Sequence, residues 1–384
     1  MNKHQKMIFS GAYYTFLTSG LVSMIINSIM PFIMDDYQLT YDLTGTLLSL
    51  LSTGNLVATF VIAFIIKSIG RKKSAIILSM AVSIGLVSIL ASPLFITMAI
   101  GFLLIGVSRG SISNINNSIV NDYSEGEARW LNYLHMFYSV GAFIAPILVI
   151  LLMYLHLSWR QVLLISLIFP ITSSVIYILL PIDIKTTKEQ NSGPKKRLPY
   201  YKNLNFWICC GILFFYVGAE NAVNGWLVTY LKNSGIMTAS YAQGLLSLLY
   251  LVMVIGRILG ARLSDKFKKT YLLLISAIGA LLTFSIFIFS SNLVLITAAI
   301  VGIGFFFAPV YPTSIAACGE ALEGSSLAMG TLLTMAGFGK IIMPYLVGLI
   351  ASKINIFAGM ASILVVLFLM VAFILVLIVK NKSK

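Results

Sequence analysis

The chain alternates between long apolar stretches and short polar segments along its whole length. Most of the apolar stretches hold about 20 or more residues, the length that an α-helix needs to cross a bilayer. We therefore predict twelve spans, numbered 1 to 12 in chain order, with tilt or bending in the longer ones. The predicted spans lie near 7–34, 44–67, 74–92, 95–121, 129–155, 158–181, 204–231, 241–264, 270–290, 292–318, 322–352 and 354–379.

The composition supports a membrane protein. Of the 384 residues, 59% are hydrophobic and only 10% are charged, whereas a soluble domain carries roughly 25% charged residues. This balance excludes a soluble enzyme and a disordered chain. The three cysteines all lie in apolar runs, where we expect them to pack as small hydrophobic side chains.

The positions of lysine and arginine predict how the spans are oriented. The formal net charge of +14 first suggests an acidic partner, but 20 of the 26 basic residues fall on one side if the N-terminus is cytoplasmic. Such a bias is typical of cytoplasmic loops. We therefore expect a multi-pass protein of the cell (inner) membrane with both termini cytoplasmic, and lipid headgroups rather than nucleic acid as partners of this charge. The remaining basic residues are Arg160, Lys232 and Lys353 in outer loops and Arg109, Arg257 and Lys340 inside spans.

The second half of the chain repeats features of the first at an offset of 198 residues. A polar segment at 182–203 separates the two halves and is predicted to be a cytoplasmic linker. We predict two pseudo-symmetric six-helix halves, 1–181 and 204–384. Parallel halves of this kind are typical of rocking transporters with a substrate site near mid-membrane. The matching pairs are Gly20 with Gly218, Gly106 with Gly304, Gly141 with Gly339, and Pro146 with Pro344.

The loop between spans 8 and 9 carries a recognisable motif. It reads Ala261-Arg-Leu-Ser-Asp265-Lys-Phe-Lys-Lys269 and is similar to the cytoplasmic loop signature of the major facilitator superfamily. The resemblance implies that superfamily's fold, an all-α membrane protein with twelve transmembrane helices. Other residues resemble its fucose, galactose and glucose proton symporter branch. They include Gly141 and Pro146 in span 5, Gly218 and Glu220 in span 7, Gly256 and Arg257 in span 8, Tyr311 and Pro312 in span 10, and Gly339 and Pro344 in span 11.

The same loops supply the candidate gating residues. An Asp at a helix end beside basic residues can hold neighbouring helices together in one transport state, and Asp265 stands in that place. In the first half Lys67 occupies the corresponding position, although Gly70 and Arg71 remain, so a latch there must be built differently. We assign gating to Asp265, Arg71 and Arg257, the last of these being structural or gating rather than a substrate contact.

Several positions depart from the branch pattern. Its sugar symporters place a carboxylate in span 1 or span 4, whereas span 1 here offers Asn27, and span 4 has Ser113 near the expected position and gains Arg109. Lys340 stands in span 11 where a small residue is usual. These departures point away from a neutral-sugar carrier and towards a sugar-like or organic anion.

Ionisable residues inside spans are costly and usually serve function. Glu220 is the only carboxylate deep within a predicted span, so it is the candidate proton-coupling residue. Permanent pairing with a cation is the alternative. Arg109 can grip a substrate carboxylate or phosphate, or pair with Glu220. Lys340 is either a second anion contact or a lysine that snorkels.

Polar and aromatic side chains in the spans complete the candidate substrate site. Asparagines also hold helices together, and aromatic rings and a neutral histidine are often packing residues, so both interpretations stay open. The further candidates are Asn27, Asn114, Asn117, His135, Asn224, Trp226 and Tyr311.

The sequence contains no catalytic set, metal-ligand cluster or phosphate loop with the required spacing, so we expect neither an enzyme nor a metal or cofactor. We expect a monomeric secondary active transporter that works by alternating access. It moves a small polar solute, a sugar or a sugar-like or organic anion, together with a proton. An exporter of drugs or amphiphilic metabolites is the alternative, which apolar cavity walls and Arg109 locked to Glu220 would favour. A receptor or scaffold that does not transport is a further alternative, and the short loops argue against it.

Overall fold

The computed structural model describes residues 3–91, 93–124, 128–182, 200–322 and 326–382. Within these ranges twelve spans are long and apolar enough to cross a membrane, which confirms the all-helical prediction. Residues 183–199, most of the predicted linker, lie outside the described residues. The helices are Lys3–Tyr37, Tyr41–Ile69, Arg71–Ala91, Phe95–Tyr123, Ala128–Tyr154, Trp159–Ser166 with Ile168–Leu179, Leu204–Asn233, Ala239–Lys266, Lys269–Phe289, Leu293–Phe307 with Val310–Leu322, Ser326–Lys353 and Ile356–Lys382.

Spans 6 and 10 each consist of two helices, and prolines explain both breaks. Span 6 is interrupted at Leu167, because Pro170 has no N–H to donate to the carbonyl of Ser166. Span 10 is interrupted at Ala308 and Pro309, where Pro309 and Pro312 remove two helical donors within one turn. The breaks in these two spans therefore arise where prolines lack the backbone N–H that a helix requires.

The chain divides by its internal contacts into two compact units. Unit 1 is Met1–Lys188 with Ala239–Ser247, and unit 2 is Glu189–Thr238 with Leu248–Lys384. The beginning of span 8 therefore groups with unit 1. Two hydrogen bonds account for this grouping: Gln243 Nε2 donates to the Ser28 carbonyl at 3.0 Å, and Ser247 Oγ donates to the Phe143 carbonyl at 2.9 Å.

Paired glycines in each unit let helices approach closely. A Cβ on Gly106 would lie 2.0 Å from the carbonyl oxygen of Leu51, and a Cβ on Gly304 would lie 2.8 Å from that of Leu249. Both partners of the second pair stand 198 residues after those of the first. Small residues at helix interfaces allow such backbone contact, so the sequence repeat corresponds to the same packing in each unit.

Candidate functional site

Glu220 forms an ion pair inside unit 2. Its Oε1 lies 3.9 Å from Nη2 of Arg257, which comes from span 8. The Glu220 side chain is 17% exposed and that of Arg257 is 44% exposed. The separation is longer than that of a charge-assisted hydrogen bond, so this contact is an electrostatic attraction between the two groups. The carboxylate that the sequence singled out is thus paired with a residue to which only gating was assigned.

The close packing of span 7 against span 11 fixes the position of Glu220. A Cβ on Gly218 would meet Met343 Cγ at 2.4 Å, and one on Gly339 would meet the Phe214 carbonyl at 2.0 Å. Because both positions lack a side chain, the two helices come close at this level. Glu220 follows Gly218 by two residues, at the edge of that contact.

Two tyrosines surround the ion pair. Tyr216 and Tyr311 each lie close enough to interact electrostatically with both Glu220 and Arg257. Tyr216 is fully buried, and its ring meets Phe307 edge to face at 5.6 Å. Its hydroxyl lies beside the Glu220 carboxylate, close enough to hydrogen bond with it.

Arg109 occupies a polar position inside unit 1. Its Nη2 donates to the hydroxyl of Tyr138 at 2.5 Å, and its guanidinium carbon lies 5.4 Å from the centre of the same ring. The side chain lines a cavity of about 30 Å³ among spans 1, 3, 4 and 6, which is room for about one or two waters. Ser108 lines the same cavity, is fully buried, and has no hydrogen-bond partner within the described residues.

The asparagines of span 4 have different environments. Asn116 is fully buried and bonds Thr15 and Tyr177 at 2.9 Å each, so it joins three spans of unit 1. Asn114 is partly exposed and donates to the Gly110 carbonyl of its own helix at 2.8 Å. Asn117 is also partly exposed. Asn114 and Asn117 therefore stay candidates for substrate contact, whereas Asn116 holds the helices together.

The remaining asparagine candidates lie in spans 1 and 7. Asn27 is partly exposed, and its Nδ2 lies 3.8 Å from the sulfur of Met24. Asn224 is 8% exposed, and within the described residues its Oδ1 has no partner. Asn221, adjacent to Glu220, donates to the Val217 carbonyl of its own helix at 2.9 Å.

Trp226 packs in the interior of unit 2. It is fully buried, and its indole N–H donates to the carbonyl of Pro344 at 3.0 Å. This bond joins spans 7 and 11 beside the proline that repeats Pro146. The contact favours packing over stacking on a substrate, so we leave Trp226 out of the proposed site.

His135 and Lys340 lie at the borders of the packed cores. The His135 ring is exposed and meets the Phe16 ring edge to face at 5.3 Å. Lys340 is partly exposed and follows Gly339, the residue packed on Phe214. Both residues have interaction partners.

The sequence profile of the Major Facilitator Superfamily matches residues 12–325 and 237–384. The chain belongs to the major facilitator superfamily. This membership agrees with the multi-pass membrane protein that the twelve apolar spans indicate. The profile match does not confirm the finer likeness to the fucose, galactose and glucose symporters.

Individual relatives within the major facilitator superfamily are distant. "Major facilitator superfamily domain-containing protein 4A" of Homo sapiens is 27% identical over 139 residues, 36% of this chain and 27% of that protein. The chain thus spans about a quarter of the length of the first relatives it matches. The Protein TsgA homolog of Buchnera aphidicola is 20% identical over 387 residues, covering 97% of this chain and 96% of that one.

Solved structures show the same superfamily fold. The nucleoside transporter NupG superposes with a TM-score of 0.76 at 14% identity and covers 100% of both chains. A bacterial homolog of the human lysosomal transporter Spinster, in an inward-facing and occupied conformation, gives a TM-score of 0.73 at 14% identity over 98% of this chain and 97% of that one. At this level of identity the likeness concerns the fold.

In the first half, the loop that corresponds to the superfamily's signature loop contributes Arg71 to a buried ion pair. Nη1 of Arg71, at the start of span 3, lies 2.7 Å from Oδ2 of Asp122, in the last turn of span 4. Arg71 was predicted as a gating residue, but its partner at the end of span 4 was missed. The sequence signal that could have identified Asp122 is an acidic residue at a span end where the charge bias predicts a basic cytoplasmic loop. Asp265, the corresponding candidate in the second half, has a side chain outside the described residues.

Proposed function

We propose that this superfamily transporter is a secondary active carrier that works by alternating access and couples a small polar solute to a proton through Glu220. We place it in the cell membrane as a monomer with cytoplasmic termini. The observation that carries the proposal is the Glu220–Arg257 pair. A partly exposed carboxylate sits 3.9 Å from a cation within unit 2, so gaining a proton changes the charge balance of that unit.

The substrate class follows from the polar groups on the described spans. Arg109 lies among hydroxyls in unit 1, and Asn114 and Asn117 are partly exposed on the same span. Hydrogen-bond donors of this kind suit a sugar, a sugar-like compound or an organic anion. The resemblance to the sugar symporter branch supports the same class, and nucleosides join the list because NupG is described as a nucleoside transporter.

Arg109 and Glu220 each have a partner in their own unit, Tyr138 and Arg257 respectively.

Uptake into proteoliposomes under an imposed pH gradient tests the coupling. A panel of sugars, sugar acids, nucleosides and small carboxylates is first screened by thermal shift on the purified protein. We expect gradient-driven accumulation of a panel member by the wild type, and none by Glu220→Gln, which should still exchange labelled for unlabelled substrate. Asp35→Asn, which changes an exposed carboxylate in the last turn of span 1, is the matched control. Equal gradient-driven uptake by Glu220→Gln would contradict coupling at this residue.

A further inference from the structure

Arg109 is a cation in the middle of a span. It lies halfway along span 4, which runs from Phe95 to Tyr123. Its guanidinium donates to the Tyr138 hydroxyl and lies over the ring of the same residue. A phenol supplies no full negative charge, and none of the ion pairs among the described residues includes Arg109. Because a cation inside a membrane is costly unless other charges or dipoles compensate it, this position favours a negatively charged ligand.

The cavity beside Arg109 sets the size of such a ligand. Its volume is about 30 Å³, and its lining comes from spans 1, 3, 4 and 6 of unit 1. Pockets for drug-sized organic ligands hold about 300–1,000 Å³, so a sugar, a nucleoside or an organic acid does not fit inside this one. The volume suits one or two waters, and a halide ion is only slightly larger than a water molecule. The cavity therefore selects a small inorganic anion.

Ser108 offers this cavity a hydrogen-bond donor. It is fully buried and, among the described residues, its hydroxyl has no partner, whereas most buried side-chain polar groups in proteins have one. It directly precedes Arg109 on span 4, so a cation and an O–H donor border the same small space. An anion there would accept from both groups at once. Four other lining hydroxyls already donate to carbonyls of their own helices, namely Thr18, Ser23, Ser79 and Ser173.

We infer that this cavity is a chloride site, in which the Arg109 guanidinium and the Ser108 hydroxyl hold the ion. The bound chloride neutralises Arg109 inside the span and gives the Ser108 hydroxyl an acceptor. The inference goes beyond the proposed function, because the ion resides within unit 1 and is not the transported solute, and neither Glu220 nor a proton takes part. A guanidinium has five N–H donors, so an ion in the cavity leaves donors of Arg109 for a solute outside it.

Thermal unfolding of the purified protein tests the site without a transport assay. Sodium chloride replaces sodium methanesulfonate, which has a larger anion of the same charge, in a concentration series at constant ionic strength. A ligand that binds only the folded state stabilises it, so we expect the Tm to rise by about 2–4 °C and then to saturate. Bromide should act like chloride. A Tm that is the same in chloride and in methanesulfonate overturns the inference and leaves the proposed proton coupling untouched.

Variants locate the ion. Ser108→Ala should raise the chloride concentration at half of the Tm shift about tenfold, and Arg109→Gln should abolish the shift. Ser111→Ala is the matched control and should respond as the wild type does. Ser111 lies on the same span, is 1% exposed, and has no partner among the described residues, but it does not line the cavity.

Two results with these variants would contradict the chloride site. An equal shift in the wild type, Ser108→Ala and Arg109→Gln would place the ion elsewhere in the protein. A Tm rise with glucuronate that is lost in Ser108→Ala would show that the cavity admits an organic anion, and it would assign the cavity to the transported solute instead.

Discussion

Arg71 and Asp122 form a nearly buried ion pair, with Nη1 and Oδ2 separated by 2.7 Å and side chains 9% and 11% exposed. Arg71 begins span 3, and Asp122 lies in the last turn of span 4. The pair therefore joins two helix ends that the charge bias predicts to be cytoplasmic. In the first half, Asp122 supplies an acidic side chain that is missing at the position corresponding to Asp265, where Lys67 stands.

Removing one member of this pair should destabilise unit 1. Asp122→Asn leaves Arg71 buried without a counter-charge, which should cost about 3 kcal/mol and lower the Tm of the purified protein. The exposed neighbour Lys73 provides the control, because Lys73→Gln should leave the Tm unchanged. The double variant Arg71→Leu with Asp122→Leu should recover part of the loss. A Tm for Asp122→Asn equal to that of the wild type would show that the pair does not stabilise the fold.

Alanine substitutions at the packed glycines should destabilise the protein. The loss of stability should be larger where the added Cβ comes closer to its neighbour. The Cβ of Gly106→Ala would meet the Leu51 carbonyl at 2.0 Å, and that of Gly304→Ala would meet the Leu249 carbonyl at 2.8 Å. Forcing such contacts costs about 1–3 kcal/mol, more at Gly106 than at Gly304. At Gly330 no atom lies within 4 Å of an added Cβ, so Gly330→Ala should be tolerated. Thermal unfolding of the three variants checks this order, and equal Tm values would refute it.

The buried network around Tyr177 should contribute to stability without affecting transport. The Tyr177 hydroxyl donates to Asn116 Oδ1 at 2.9 Å and lies 3.0 Å from Thr15 Oγ1. Side-chain hydrogen bonds between membrane helices are worth about 0.6 kcal/mol on average, and removal of both should lower the Tm by a few degrees in Tyr177→Phe. Tyr154→Phe, at a position 80% exposed, is the control. A changed substrate KM in Tyr177→Phe would instead place the network in the binding site.

Arg109 should matter for affinity more than for folding. Arg109→Gln removes a cation that lines the cavity of unit 1, and we expect the Kd of an anionic ligand to rise at least about tenfold. Tyr138→Phe keeps the cation and removes only its 2.5 Å hydrogen bond, so the Kd should change by less. Isothermal titration with the best panel ligand distinguishes the two variants. If both bind as the wild type does, Arg109 is not a substrate contact.

The sequence predicted the spans well because their signal is local. Each apolar run had to be long enough to cross a bilayer. The breaks within spans 6 and 10 were not predicted, although prolines stand beside both of them. The 198-residue repeat predicted paired glycines, and Gly106 and Gly304 do pack against carbonyls at the same offset. The sequence did not predict that the beginning of span 8 groups with unit 1, because the hydrogen bonds of Gln243 and Ser247 join residues far apart in the chain.

The candidate site was less predictable because its partners come from different spans. Glu220 and Arg109 were found as ionisable residues in apolar runs, but the sequence left open which cation pairs with Glu220. The distance between Glu220 and Arg257 depends on how span 8 packs near span 7. Asp122 was missed for the same reason, since nothing in its neighbourhood along the chain identifies Arg71 as its partner.

Proton movement during substrate uptake is the most direct measure of the role of Glu220. A pH-sensitive dye outside proteoliposomes, with no gradient imposed, records whether adding the panel member that is transported removes protons from the medium. We predict alkalinisation with the wild type and with Asp35→Asn, and none with Glu220→Gln although substrate exchange continues. Alkalinisation of equal size with Glu220→Gln would contradict proton transfer through this residue.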